Sequence, residues 1–363
     1  PKDSFPGRIG MRELILRLSE LWHTERERVE TSAQDIIAWL RRESSMEAGR
    51  LPGIQALHAA CAALKARFDS DYGGFGHAPK FPSAHALSFL LRYHRRFKDE
   101  QALAMVTKTL DALRAGGIYD HLGFGFHRYS TDRRWFLPHF EKMLYDQALL
   151  ALAYTEAYQA TGQAAYGAAA REILDYVLRD LRSAHGGFFS AEDADSQGRE
   201  GAYYLWSTDE IRAVLAGPAA ERWIQAFGMK DRGNLDAEAG FAGIGANVLA
   251  RDISAALSGQ DRDQSGPDDL EPSRAALLAV RERRIRPARD EKVLCDWNGL
   301  MIAALAKAAQ VFEDSALAEA ARKAADFCLE NLRLPGGALR HRWHDGQAAI
   351  DGFLDDYAFL VWG

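Results

Sequence analysis

Apolar residues recur at helical spacing along most of this chain. Over residues 11–44, Leu14, Leu18, Leu21, Trp22 and Val29 recur among many charges, which predicts helix. The pattern breaks between Ser44 and Gly53, which reads as a linker. From Ile54 onward it returns and predicts helices over about 54–68, 83–97, 99–115, 138–161, 164–183, 273–285, 296–312, 315–333 and 353–362. Ala148-Leu-Leu-Ala-Leu-Ala-Tyr154 and Leu300-Met-Ile-Ala-Ala-Leu-Ala306 are apolar nearly all round, as expected of inner helices buried on most sides. Residues 168–182 and 316–331 keep one charged face and read as outer helices.

Two stretches depart from this rhythm. Gly186 to Trp206 alternates apolar and polar residues around an acidic connection and predicts a short β-hairpin. Ser207-Thr-Asp-Glu210 then carries a capping-box pattern and predicts a helix start. Residues 228–272 are rich in Gly, Asp and Pro and read as a surface insertion, with a mobile piece near 258–272.

A repeat organises the helices. Glu141-Lys-Met-Leu-Tyr-Asp146, Glu291-Lys-Val-Leu-Cys-Asp296 and Asp351-Gly-Phe-Leu-Asp-Asp356 share the form acid-x-x-Leu-x-Asp, and each opens an apolar helical run. Gly-Gly pairs at 73–74, 116–117, 186–187 and 336–337 follow helix-like stretches. Repeated units of helix, Gly-Gly turn, acid and helix predict stacked helical hairpins. The chain of 363 residues is 47% hydrophobic and 26% charged, which suffices for a large core. Its net charge of −6, without a basic stripe, argues against nucleic acid as a partner. No apolar run approaches the roughly 20 residues needed to span a bilayer, so no membrane partner is expected. Cys61, Cys295 and Cys328 lie far apart and make no C-x-x-C pair, which fits a reducing compartment and a cytoplasmic location.

The repeated Asp sits in the first turn of each inner helix, where backbone N–H groups favour a negative charge. Asp146, Asp296 and Asp356 therefore have two readings, as structural caps or as acids lining a cavity mouth. Residues 119–141 gather His121, His127, His139, Arg128, Trp135 and Glu141 into one connection between helices. Such a mixture suits aromatic stacking on sugar rings and polar contacts to hydroxyls. Pro138 marks an expected helix start that aims His139 and Glu141 outward. Glu192, Asp193 and Asp195 form an acidic loop that could supply an acid/base pair. A calcium loop is a poor fit, because the twelfth position from Asp193 is Tyr204 where a Glu is required. No metal or other cofactor is expected, and no phosphate-binding loop or local nucleophile motif is present in the sequence.

Several longer segments resemble one family. Lys80-Phe-Pro82, His121-Leu-Gly-Phe-Gly-Phe-His-Arg-Tyr-Ser130, Pro138-His-Phe-Glu-Lys-Met-Leu-Tyr-Asp146, Phe189-Ser-Ala-Glu-Asp-Ala-Asp-Ser196, Lys292-Val-Leu-Cys-Asp-Trp-Asn-Gly-Leu300 and Leu354-Asp-Asp-Tyr-Ala-Phe359 are similar to the thioredoxin-domain-containing family of bacterial YyaL proteins and their spermatogenesis-associated animal relatives. Gly123-Phe-Gly125 departs from the family's usual run of glycines. The resemblance implies an all-α, six-hairpin glycosidase-like (α/α)6 toroid over 54–363, incomplete at the C-terminus, with the insertion at about 228–272. It further implies that residues 1–44 are the helical remnant of a thioredoxin-like domain, joined by a 45–53 linker, and that this domain is a partner within the full-length chain. Fold analogy to sugar enzymes implies a carbohydrate-active domain, a hydrolase or an epimerase/isomerase, with a sugar or glycan as ligand. The alternative is a non-catalytic glycan- or protein-binding scaffold. Glu141, Asp193, Asp296 and His139 are the expected catalytic residues. His121, His127, Arg128, Trp135, Glu192, Asp195, Trp297, Asp356 and Tyr357 are the expected substrate contacts.

Overall fold

The computed structural model describes residues 9–44, 51–235, 245–258 and 267–363. It divides into two units, Pro1–Ala56 and Leu57–Gly363. The first contains α1 (Met11–Thr24) and α2 (Arg26–Ser44). The helix expected over 11–44 is thus broken at Glu25, whose backbone (φ −135°, ψ 43°) leaves the helical region.

The second unit starts within α3 (Ile54–Arg67) and continues with α4 (Ala84–Phe97) and α5 (Glu100–Ala115). Short strands β1 (Tyr129–Ser130), β2 (Pro138–His139) and β3 (Lys142–Met143) lead into α6 (Leu144–Thr161) and α7 (Ala164–Tyr176). Strands β4 (Ala191–Glu192), β5 (Asp195–Ser196) and β6 (Arg199–Glu200) precede α8 (Thr208–Val214), α9 (Pro218–Ala226), α10 (Ile253–Ser258) and α11 (Pro267–Arg281). The chain closes with β7 (Arg289–Asp290), β8 (Val293–Leu294), α12 (Cys295–Phe312), α13 (Ser315–Asn331), β9 (Arg340–His344), β10 (Gln347–Asp351) and α14 (Leu354–Trp362).

The architecture is predominantly α-helical, a row of helical hairpins with a few short antiparallel strand pairings. Helix α6 packs beside α4 and α12, and α12 packs beside α14, which makes an inner row. Helices α5, α7 and α13 back α4, α6 and α12. The inner helices α6 and α12 are apolar on nearly every face because they are covered on most sides. Their Leu, Ala and Met side chains form the main core with α4, α5 and α7. Gly299 permits the close packing of α12 on α14, since a Cβ there would lie 2.4 Å from the Phe359 backbone carbonyl carbon. A second cluster, around Trp206, Trp223 and Leu277, holds α8, α9 and α11 together.

The structure corrects several expected boundaries. Pro138 and His139 do not begin a helix. They pair with Ser130 and Tyr129 in a two-stranded sheet, and the helix begins at Leu144. The expected hairpin over 186–206 is instead split. Strand β4 pairs with β3 and β7, while only β5 and β6 form a local hairpin. Ser207 does cap α8, accepting from Glu210 N at 3.1 Å while Glu210 Oε2 accepts from Ser207 N at 2.8 Å. Within the insertion, residues 236–244 and 259–266 lie outside the described residues, whereas 267–272 are helical.

Two buried amides fasten the inner helices to the turns before them. Gln147 accepts from Phe126 N at 2.8 Å and donates to Phe126 O at 2.7 Å. Asn298 does the same at Phe188, at 2.8 and 3.0 Å, and also donates to Leu294 O. Each amide substitutes for a neighbouring strand. Asn298→Leu strands the Phe188 N–H and C=O in the core and is expected to lower unfolding free energy by about 2–4 kcal/mol. Urea denaturation measures this, and an unchanged midpoint would contradict the clamp.

Candidate functional site

Each repeated Asp follows a short strand and stands in the first turn of an inner helix: Asp146 after β3, Asp296 after β8 and Asp356 after β10. The three are chemically unlike. Asp356 is fully buried and fully used. It accepts from Phe353 N at 2.7 Å and Asp296 N at 3.1 Å, and both its oxygens face His341 Nδ1 at 3.0 and 3.1 Å. Asp296 is 9% exposed and accepts from Trp297 N at 2.8 Å. Burial, and then the nearby Asp356 charge, raise its pKa. Asp146 is the outlier. Its Oδ2 is sealed from solvent without a hydrogen-bond partner, and burial pushes its pKa up to about 8 against the weaker pull of Arg128. A carboxyl in that state carries a proton at neutral pH.

Around Asp146 runs a polar and aromatic rim. Arg128 donates to Glu141 Oε2 at 2.9 Å and to the Tyr145 hydroxyl at 3.3 Å. The Tyr145 ring meets Trp297 edge to face at 4.7 Å, which ties the start of α6 to the start of α12. His139 lies between two acids, with Nδ1 2.7 Å from Glu200 and Nε2 3.1 Å from Glu141. Its ring stacks on Tyr129 at 5.0 Å, and Tyr129 in turn meets the exposed Phe81 at 4.9 Å. The β3–β4 register pairs Lys142 with Glu192, so one step further Asp193 stands opposite Glu141 on the face away from the core. Asp193 uses Oδ1 to accept from Ala194 N at 2.6 Å, within its own turn. Asp195, exposed, pairs in register with Glu200.

The His139–Glu200 bond makes this rim sensitive to pH. Hydrogen bonding to Glu200 raises the His139 pKa, and the same bond lowers that of Glu200. The histidine term is therefore complete below its unfolded value near 6.5 and is lost as pH rises through the folded value. The Glu200 term is present above about 4.5 and is lost as pH falls through its own lowered value. Glu200→Gln is expected to cost about 0.5–1 kcal/mol at pH 5.5–6.5, with solvent screening of a partly exposed pair included. The cost should fade by pH 9. Thermal unfolding across pH measures it, and a cost independent of pH would contradict the pairing.

Other expected contacts fall inside the protein. His121 is buried, bonded to Gly116 O at 3.0 Å and packed on Tyr119 and Phe227. His127 is buried, bonded to Phe140 O at 3.0 Å, and burial drops its pKa to about 3. Trp135 has no exposed surface and donates Nε1–H to Tyr72 O at 2.9 Å. Glu192 is buried against Arg286 at 2.5 Å and the Tyr176 hydroxyl at 2.7 Å. None of these four presents a free face to a ligand, and Asp356 reaches outward only through His341. They are corrected from substrate contacts to supporting residues. Tyr357 keeps an exposed ring, while its hydroxyl accepts from Leu339 N at 2.9 Å.

What burial of the histidine-rich connection requires is a charge network beneath the rim. Asp120 accepts from Lys142 Nζ at 2.7 Å and from both Arg281 terminal nitrogens at 2.7 and 2.9 Å. Burial alone would raise the Asp120 pKa. Arg281 and Lys142 outweigh it and hold the carboxyl well below its usual range. The expected site thus separates into an open rim, comprising Glu141, His139, Arg128, Asp146, Trp297 and Asp296, and a buried foundation. Sequence reasoning ranked Asp146 below its neighbours and missed Lys142, Gln147, Asn298 and His341. The amides were signalled by their polarity inside otherwise apolar helices.

No protein-family model matches the chain. Spermatogenesis-associated protein 20 from Homo sapiens is 36% identical over 405 aligned residues, covering 100% of this chain and 51% of that protein. The Mus musculus protein of the same name is 34% identical, covering 100% and 50%. The chain spans about half the length of the curated relatives it matches. Among solved structures, an unsaturated glucuronyl hydrolase specific for heparin superposes with a TM-score of 0.47 at 11% identity, over 85% of this chain and 66% of that one. Cellobiose 2-epimerase from Bacillus thermoamylovorans B4167 gives a TM-score of 0.35 at 12% identity, over 85% and 97%. No described helix is long and apolar enough to cross a membrane. The similarity to spermatogenesis-associated protein 20 extends over the whole length of this chain.

Proposed function

We propose that this chain carries a carbohydrate site of the acid/base type, as in a sugar hydrolase or epimerase/isomerase, on the rim formed by the starts of the inner helices. The observation that carries the reading is Asp146. A carboxyl with one oxygen sealed and unpartnered, and its pKa raised by burial to about 8, is costly to a fold and useful as a proton donor. A purely capping Asp would accept from the backbone, as Asp356 does. The surroundings suit a sugar. Tyr145, Trp297 and Tyr129 offer aromatic faces, while Arg128, Glu141 and His139 offer fixed donors and acceptors for hydroxyls.

The test is sugar binding by the full-length protein. A panel of mono- and disaccharides is screened by thermal shift, and hits are titrated by calorimetry. A specific sugar should bind. Trp297→Ala should weaken it by about tenfold or more, in line with the loss of a stacking face. Asp146→Asn should retain binding and lose turnover by about 10²–10⁴-fold. A panel in which no sugar shifts the wild-type protein would rule out the reading and favour the scaffold alternative.

A further inference from the structure

The start of α14 holds two side chains, His341 and Asp356, that this rim reading does not use and that stand beside Asp296 of the rim. Strand β9 presents His341 to the buried Asp356, and one ring nitrogen of His341 lies within 4.8 Å of a carboxylate oxygen of both Asp296 and Asp356. The described residues contain this one cluster of three such ligand-type groups. A metal ion is the first reading to weigh, and the hydrogen-bond geometry argues against it. His341 Nδ1 sits nearly equidistant from the two Asp356 oxygens, at 3.0 and 3.1 Å, in the position a bidentate cation would take. Each of those oxygens also accepts a backbone N–H. The arrangement matches an imidazole donating Nδ1–H to a carboxylate that the fold has locked in place.

When the ring is neutral, locking Nδ1–H leaves Nε2 as the nitrogen able to accept a proton. The His341 side chain is 20% exposed, whereas Asp356 has no exposure, so only the imidazole can meet a ligand. Asp296 stands beside it on the neighbouring inner helix, with its pKa raised by burial and then by Asp356. The structure therefore sets a positioned base next to a carboxyl inclined to hold a proton. One ring nitrogen of His341 and one carboxylate oxygen of Asp296 lie within 4.8 Å of each other, close enough for the two side chains to serve adjacent atoms of one substrate.

We propose that His341 is a general base, with Asp356 as its positioning residue and Asp296 as its acid partner, for proton transfer next to the carbonyl of an open-chain sugar. This rests on the sugar reading above and selects the isomerase branch of it. In the forward step Nε2 takes the proton from C2 of an aldose. The C–H pair becomes the C1–C2 double bond, and the carbonyl oxygen takes a proton from Asp296. In the return step the O2 hydroxyl gives its proton to the Asp296 carboxylate. The imidazolium delivers its proton to C1, which leaves a ketose and restores both side chains. No oxidant or cofactor enters the balance.

The experiment has two readouts on the full-length protein. Nitrogen-15 NMR of histidine-labelled protein, with His341→Gln to assign the signal, should report the Nδ1–H tautomer for the neutral ring. Incubation with D-glucose, D-mannose or D-fructose in D₂O should exchange the hydrogen at C2 of an aldose or C1 of the ketose, read by proton NMR. His341→Gln should slow exchange by about 10²-fold or more. Asp356→Asn, checked for folding by circular dichroism, should slow it while shifting the pH profile of exchange and the His341 tautomer signal, which a merely structural role would not move. An Nε2–H tautomer, or exchange that survives His341→Gln, would overturn the assignment. Sugar binding without exchange would overturn this inference alone and leave the hydrolytic branch. Absence of binding by all three sugars would overturn this inference, and only silence of the whole mono- and disaccharide panel would remove the carbohydrate reading together with it.

Discussion

Asp120→Asn is expected to lower the unfolding free energy by about 3–5 kcal/mol at pH 7, the largest single effect anticipated here. Asp120 is 5% exposed and is the shared counter-charge of Lys142 and Arg281, both also buried. It further accepts from Leu122 N and Gly123 N at 3.1 Å each, so it shapes the turn as well as neutralising it. An amide offers one acceptor where the carboxylate offers two, and two cations would remain in the core without compensation. Lys142 also lies over the Tyr176 ring at 4.3 Å, so its displacement would loosen the Tyr176–Glu192 contact. The folded pKa of Asp120 is depressed. Its contribution is therefore present above the unfolded value near 3.9 and is lost as pH falls through the folded one. Denaturant melts at pH 7 measure the cost. A loss below 1 kcal/mol would mean that the network is not what holds the rim.

Asp146→Asn should have the opposite sign. The folded pKa of Asp146 is raised to about 8, from an ordinary carboxylate value of about 3.9. Below the unfolded value both states are protonated and the residue costs nothing. Between the two values the unfolded chain ionises while the folded one does not, so the wild type loses stability steadily as pH rises, and the loss levels off above about 8. An amide removes that penalty. The variant should match the wild type near pH 4 and exceed it by about 2–4 kcal/mol at pH 8, after local relaxation. Thermal or urea melts across pH report it. Stabilisation together with lost turnover is the pattern expected of a functional group held at a cost to the fold.

The repeat was legible because it joins two local signals, an acid in a first turn and an apolar run of helical period. That combination located the starts of α12 and α14 and marked α6 and α12 as inner helices, while the start of α6 was expected six residues too early. Pro138 misled because its effect on a helix start is local, whereas its pairing with Ser130 in β2 is decided by chain eight residues earlier. His121 and His127 looked like ligand contacts because a loop dense in His, Arg and Asp normally faces water. What permits their burial is Arg281, 161 residues from Asp120 along the chain, and no local pattern reports such a partner. His341 escaped notice for a related reason. Arg340-His-Arg-Trp-His344 carries no local motif, and its partner Asp356 lies 15 residues further along the chain from His341. Asp146 and Asp356 share one motif yet end in different states. Asp356 accepts two backbone N–H groups and a histidine, while one oxygen of Asp146 accepts nothing.

The central claim is that the rim carries a carboxylic acid still protonated at neutral pH. Infrared difference spectra of wild type against Asp146→Asn, recorded across pH, read that proton directly. A protonated-carboxyl band present at pH 7 and titrating near 8 is the predicted result. A carboxyl that ionises near pH 4 would contradict it, and Asp146 would then be one more helix cap.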